Sequence, residues 1–339
     1  MVKSTCAFTL IALLAVGASA HDFLYSGDTP MTHGARSFTI TGNFYYFSAD
    51  SEFDQEGEKV KYSDDPAVED AKGSRLYFPI DIRYGITDQL EVGIQPVFAV
   101  LDYEETPATP AGSEADSYDG TGLGDTWFHA KYMFSPVPML AARIGVKVDS
   151  GTEPVRFVNA AGATDEVGDS GEEAAFAWLD GEDDVATGSG QMDIDGAVLF
   201  GTETPHGMFR AAVGYRFRMD RQHDVKTGVA GQTDAIKYTP GNEIHFAAAY
   251  THYISDVMNL TVAADGFFGS SPEWDGEAIE ISQGTEKVTL EGANAVWINP
   301  GFEYMMDNGV SLGFDLHYPL MGKNSEALWG MGAFIGWGI

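Results

Sequence analysis

A two-residue repeat of apolar and polar side chains constrains this chain more than any other feature. Between Gly122 and Phe134, Phe128 and Tyr132 are apolar, whereas His129 and Lys131 are polar. Such alternation is typical of a strand with one apolar face and one polar face. Similar segments recur about twelve times, joined alternately by short turns and long loops. The pattern predicts an all-β fold, a transmembrane antiparallel up-and-down β-barrel of about 12 strands.

The last predicted strand favours a membrane barrel over a soluble barrel or sandwich. From Trp329 to Ile339 one face is apolar and the other is almost entirely glycine. A soluble sandwich or secreted barrel does not explain this strand, whereas outer-membrane barrels use an apolar carboxyl-terminal strand for recognition by the assembly machinery. Aromatic side chains near predicted strand ends would form the interfacial girdle, as at Tyr46, Tyr84 and Phe134.

The first residues predict export. Lys3 precedes an apolar run from Cys6 to Val16, and the run is followed by a small-residue cleavage motif that ends at Ala20. We therefore expect a signal peptide at 1–20, a short periplasmic tail at 21–35 and a barrel with long acidic extracellular loops at 36–339. No later run approaches the 18 apolar residues of a membrane helix. Cys6 is the single cysteine, so the mature chain would hold neither disulfides nor thiolate metal sites.

The charge is strongly acidic, with a formal net charge of -32. Nucleic acid is therefore not an expected partner, because phosphate contacts need clustered Lys and Arg. Most acidic residues fall in the long connections. They either keep these loops solvated and extended or bind divalent cations. No segment has the ligand spacing of an EF-hand, which would have favoured cation binding. No cofactor or metal site is predicted. The longest connection, 150–189, includes a possible short helix, GEEAAFAWLDG, and could either fold into the barrel or lie outside it.

The polar faces of the predicted strands give a candidate pore lining. Its charges either neutralise one another to hold the barrel in shape or form a transverse field along a selective pore, and the two readings are compatible. We hypothesise that Arg210, Arg216 and Arg218, on one strand face, set the constriction. The predicted pore-lining residues are Asp81, Arg83, Glu91, Asp125, His129, Lys131, Arg143, Lys147, Asp193, Asp195, Arg210, Arg216, Arg218, Glu243, His245, Asp265, Glu303, Asp315 and His317.

Three segments resemble one transporter family. They are GLGDTWFHAKY, YGITDQLEVGIQPVF and YYFSADSEFDQEG, and they are similar to the outer-membrane transporters associated with the meta-pathway of phenol degradation. The resemblance implies passive uptake of small hydrophobic or aromatic molecules and supplies no catalytic residues. Barrels commonly end on Phe, whereas this chain ends on Ile339.

Other functions remain open from the sequence. A general small-solute porin and a structural or adhesive barrel without transport are alternatives. An outer-membrane lipid hydrolase is less favoured, because no serine lies one alternation from a histidine on any predicted strand. The expected partners are outer-membrane lipid, the assembly machinery and a small-molecule solute; the oligomeric state is not predicted.

Overall fold

The computed structural model describes residues 29–64, 68–107, 116–151, 187–189, 191–226, 233–278, 280–283, 286–289, 291–306 and 308–338. Within them the only helical element is one 3-10 turn, Tyr62–Asp64. The strands are β1 (Phe38–Ala49), β2 (Ser51–Phe53), β3 (Lys59–Lys61), β4 (Val68–Gly85), β5 (Leu90–Gln95), β6 (Val97–Pro107), β7 (Asp116–Leu123), β8 (Thr126–Pro136), β9 (Met139–Val148), β10 (Asp193–Thr204), β11 (Gly207–Arg218), β12 (Arg221–Lys226), β13 (Thr233–Thr239), β14 (Glu243–Ser255), β15 (Met258–Gly269), β16 (Glu273–Trp274), β17 (Glu277–Ala278), β18 (Glu280–Gln283), β19 (Glu286–Thr289), β20 (Asn294–Met305), β21 (Val310–Lys323), β22 (Ser325–Glu326) and β23 (Trp329–Gly338).

The long strands close into a single barrel. Their order is β1-β23-β21-β20-β15-β14-β11-β10-β9-β8-β5-β4, and β1 pairs with β4 to complete the ring. Every neighbouring pair is antiparallel. Closure leaves no unpaired edge, as a membrane interior requires. The predicted antiparallel up-and-down barrel of twelve wall strands is confirmed.

Two of the wall strands are interrupted. Pro96 separates β5 from β6, and Gly124 with Asp125 separates β7 from β8. Proline has no N–H to donate to the ladder, so the regular pairing breaks there. The wall remains hydrogen-bonded, because Ile80 N donates to Pro96 O at 3.0 Å and Gly124 N donates to Val97 O at 2.7 Å. Each interrupted pair therefore counts as one wall strand.

The wall has an apolar outside and a polar inside. On β10, Val198 is 51% exposed, whereas the next residue, Leu199, is 1% exposed. Large exposed apolar side chains occur on every part of the ring, for example Ile144, Phe217 and Ile335. An apolar surface of this extent would be unfavourable in water and suits hydrocarbon. We therefore treat the barrel as membrane-spanning.

No helix within the described part of the chain is long and apolar enough to cross a membrane. The proposed signal peptide at 1–20 and the possible helix at 171–181 lie outside the described residues, as does Ile339. Those assignments, and the limits of the segments 21–35 and 36–339, stay predictions.

The long connections add small sheets at one end of the barrel. One sheet has the order β22-β2-β3, another β12-β13-β16-β17, and β18 pairs with β19. The first sheet lies next to a group of buried aromatic and aliphatic side chains, which we call the loop-end cluster. Its members are Tyr45, Phe47, Ala49, Tyr62, Ala71, Tyr103 and Leu328. This cluster lies at the end of the barrel that carries the long connections.

Candidate pore lining

All nineteen predicted pore-lining residues are buried or half-buried, and all except Asp125, which lies between β7 and β8, are in strands. Large neighbours in the sequence, such as Phe128, Ile144 and Phe217, are exposed on the opposite face, as the period of two requires. The lining is densely packed: Glu91 and Asp193 are 0% exposed and Lys131 is 1% exposed. That these residues line a conducting path stays a prediction.

Glu91 on β5 organises the end of the lumen nearest the short turns. Its Oε1 lies 3.1 Å from Lys131 Nζ and 3.6 Å from Arg83 Nη1. Arg83 Nε in turn donates to Asp81 Oδ2 at 2.5 Å. The His33 ring pairs with Glu91 Oε2, and His33 N donates to that same oxygen at 2.9 Å. A buried carboxylate needs such compensation, because its desolvation costs several kcal/mol.

The residues before β1 lie inside this mouth of the barrel. We call residues 29–37 the mouth segment. Its end is held by backbone bonds from Arg36 N to Gly85 O at 2.8 Å and from Gly85 N to Ser37 O at 3.0 Å. Lys131 Nζ donates to Thr29 O at 3.0 Å. The sequence predicted only a tail at 21–35; its described part is packed within the mouth.

Pro30 shows how far the mouth segment reaches. Its ring is fully buried and packs against Gly201 of β10, beside Met139 and Met208. Around the ring, β4, β5, β8 and β9 lie between β1 and β10. The mouth segment therefore crosses nearly half of the barrel wall and narrows the opening.

A second charge network lies on β9, β10, β11 and β14. Asp195 Oδ2 is 2.7 Å from His245 Nε2 and 3.9 Å from Arg216 Nε, and its Oδ1 is 3.4 Å from Arg143 Nη2. Glu243 Oε2 accepts from Arg216 Nη1 at 3.0 Å. The Arg216 guanidinium also lies 5.2 Å from the Trp127 ring centroid, a cation–π contact with β8.

The three arginines of β11 are not grouped together. Arg218 Nη1 lies 3.1 Å from Glu243 Oε1, so it joins Arg216 in the second network. Arg210 instead donates to Thr251 Oγ1 at 3.3 Å. Six residues of strand separate Arg210 from Arg216, which corresponds to about 20 Å. A constriction set by Arg216 and Arg218 therefore lies at a different depth from Arg210.

Lys147 links the barrel to the end of the longest connection. Its Nζ lies 2.6 Å from Asp193 Oδ2 and 3.4 Å from Asp125 Oδ2. It donates to Ser189 Oγ at 2.7 Å, and Ser189 Oγ donates to Asp125 Oδ2 at 2.6 Å. A serine beside a lysine resembles a nucleophile–base pair. Here the Lys147 ammonium instead forms ion pairs with two carboxylates, so the arrangement is an ion-pair network around Ser189.

One buried ion pair, Arg75 with Glu326, was not predicted from the sequence. Arg75 Nη2 donates to Glu326 Oε1 at 2.7 Å across 251 residues of chain. Burial raises the pKa of Glu326 even though Arg75 acts to lower it. The two side chains form a buried ion pair that links β22 to β4. Arg75 could have been predicted to face the lumen, because it occupies an inward position in the alternation of its strand. Glu326 could not, because it lies in a connection without periodicity.

Glycines on the inward faces make room for large rings. A Cβ added at Gly214 would collide with the His245 ring, and one at Gly145 would approach the Trp127 ring to 3.2 Å. Gly332 and Gly330 of β23 similarly accommodate Tyr45 and Phe47. Two glycines of the last strand thus leave space for aromatic side chains of β1, whereas Gly336 lies opposite Ser311 and Thr41.

Replacing Gly214 with alanine should destabilise the barrel by about 1–3 kcal/mol, because the His245 ring must leave its place beside Asp195. Urea unfolding of the refolded barrel in lipid vesicles measures this. Gly196→Ala on β10 is the matched control, because a Cβ there meets nothing within 4 Å. Equal stabilities for both variants would contradict the explanation.

Comparison with known proteins adds a fold assignment. No family model matches the chain. No curated protein matches it either. The crystal structure of an outer-membrane channel from Pseudomonas putida F1 superposes with a TM-score of 0.60, covering 92% of this chain and 98% of that chain at 12% identity. This likeness shows that the two chains share their barrel fold.

Two further solved structures are more distant. The Pseudomonas putida toluene transporter TodX has a TM-score of 0.40 at 8% identity, covering 100% of this chain and 98% of that chain. A Pseudomonas aeruginosa FadL homologue has a TM-score of 0.40 at 10% identity, covering 98% and 97%. Similarities at this level carry no argument about function.

Proposed function

We propose that this chain is a channel of the bacterial outer membrane that lets small hydrophobic or aromatic molecules diffuse inward. The main observation behind this proposal is a closed barrel with an apolar outer face and an inner face lined by charged and polar side chains. Such a wall separates lipid from a polar interior. The shared fold with an outer-membrane channel supports the proposal. Export through a cleaved signal peptide and insertion by the assembly machinery are parts of the same proposal.

The aromatic content of the lumen supports the solute class. Tyr45 and Phe47 stack with ring centroids 6.2 Å apart, and the His317 ring lies 5.2 Å from that of Phe47. Near the ends of β15 and β20 that lead into the long connections, Phe267 stacks on Trp297 at 6.1 Å. Aromatic faces attract other rings in offset or edge-to-face geometries. We propose that a flat apolar solute passing through the lumen would contact these rings in place of one another.

Block of single-channel current tests the solute class. In planar bilayers, millimolar phenol should interrupt the ionic current of the refolded chain, because a bound ring obstructs a narrow lumen. Glucose, which is larger and polar, serves as the control and should leave the current unchanged. Equal block by both solutes would favour a general small-solute porin.

A structural barrel without transport is the second candidate. It is favoured by the packing of the lumen, where Glu91, Asp193 and Phe47 are 0% exposed. Under this alternative the charge networks serve only to hold the wall in shape. An enzyme is not proposed, because Lys147 beside Ser189 is compensated by Asp125 and Asp193. We propose no cofactor or metal for the channel.

A further inference from the structure

The two halves of the barrel wall differ in how their carboxylates are compensated. On β5, β10 and β14, Glu91, Asp193, Asp195 and Glu243 each lie within 4 Å of at least one Arg or Lys nitrogen. On β15, β20 and β21, Asp265, Glu303 and Asp315 form what we call the acidic wall. Among the described residues, their polar side-chain contacts are to Asn299, Asn259 and His317 respectively. The acidic wall therefore carries negative charge that no Arg or Lys offsets.

Asp315 is a partly exposed carboxylate of this wall. Its side chain is 24% exposed, compared with at most 4% for Glu91, Asp195 and Glu243. Gly332 of β23 and Gly301 of β20 flank it in the register, so no side chain from either neighbouring strand covers it. A Cβ at Gly332 would meet both Asp315 Oδ1 and the Tyr45 ring. The Asp315 carboxylate and the Tyr45 ring thus lie side by side above Gly332.

A buried amide points into the same region. Asn299 is 4% exposed, and its Nδ2 donates to Asp265. That bond fixes the amide orientation, so Asn299 Oδ1 remains available as an acceptor. Within the described residues this Oδ1 has no hydrogen-bond donor. A buried carbonyl oxygen without a donor is costly, and a donor from a ligand would relieve that cost.

These groups select a ligand by their chemistry. Asp265 and Asp315 provide negative charge, Asn299 Oδ1 provides a further acceptor, and Tyr45 provides a ring face for a cation. Among the described residues, no three His, Cys, Asp or Glu side chains are grouped closely enough to hold a metal ion together. An organic cation with N–H donors can pair with a carboxylate, donate to an amide oxygen and lie against an aromatic ring. We propose that Asp265, Asp315, Asn299 and Tyr45 form a lumen subsite for a small organic ammonium ion.

Calorimetric titration of the folded barrel in detergent tests the subsite without requiring transport. At pH 8, where an unperturbed imidazole is neutral, benzylammonium should bind at least about tenfold more tightly than its neutral counterpart, benzyl alcohol. Asp315→Asn and Asp265→Asn should each weaken benzylammonium binding about tenfold or more, while benzyl alcohol stays unchanged. Circular dichroism confirms that each variant is folded.

Asp102→Asn is the matched control, because Asp102 lies on the exposed outer face of β6 between buried Leu101 and Tyr103. It removes one carboxylate and should leave benzylammonium binding unchanged. Equal affinity for benzylammonium and benzyl alcohol, or an unchanged affinity in Asp315→Asn, would overturn the subsite. Neither result affects the expected block of the channel current by phenol. The ammonium subsite and the channel function are therefore tested independently.

Discussion

A chain that begins at Ser37 should conduct several-fold more current per channel than a chain that begins at Thr29. The shorter chain lacks most of the mouth segment, which crosses the barrel opening from β1 to β10 and buries Pro30 against Gly201. The wall itself begins at Phe38 and stays complete. Single-channel recording in planar bilayers at one salt concentration measures the ratio.

The chain that begins at Thr29 is the appropriate control, because it keeps every contact described for the mouth segment, including Lys131 Nζ to Thr29 O at 3.0 Å. Identical conductance in the two chains would show that another element limits the current. The constriction would then be assigned to the network around Arg216 and Glu243.

The second large effect is expected from Glu91→Gln, which should reduce the free energy of unfolding by about 3–5 kcal/mol. Lys131 is 1% exposed, and its carboxylate partner with a described distance is Glu91. Replacement by a neutral amide leaves a buried ammonium with less compensation and also weakens the contact with His33. Urea unfolding in lipid vesicles measures the loss.

Glu303→Gln is the control for that experiment. Glu303 also faces the lumen, but its described contact is with the neutral Asn259, at 3.3 Å. Loss of this contact should cost about 1 kcal/mol or less. If the two variants were equally stable, the cluster around Glu91 would not support the wall.

The barrel and its two faces could be predicted because the strand period of two is a local property. Phe128, His129 and Val198 lie on the predicted faces because each strand determines its own alternation. An even number of strands with alternating connection lengths then leaves few arrangements other than a closed antiparallel ring. The inward positions of the charged residues followed from the same period.

The contacts across the lumen could not be predicted in this way. Arg216 meets Trp127 from three strands away, and Arg75 meets Glu326 across 251 residues. Such pairs depend on barrel curvature and on the register of every intervening strand. The mouth segment was also hidden, because residues 29–37 show no periodicity and are positioned by contacts with β4, β5, β8 and β10.

The glycine-rich face of β23 did not show from the sequence what lies against it. In the sequence it indicated only a strand without inward side chains. The structure shows that Tyr45 and Phe47 from β1 occupy the space above Gly332 and Gly330. A glycine pattern on one strand is therefore informative about its neighbour once the barrel closure between β1 and β23 is known.

The most direct test of the channel proposal is the ionic current of the refolded mature chain in a planar bilayer. We expect discrete openings, and their conductance should be small because side chains and the mouth segment narrow the lumen. Silent membranes with both the mature chain and the chain that begins at Ser37, despite a folded barrel by circular dichroism, would contradict the proposal and favour a structural role.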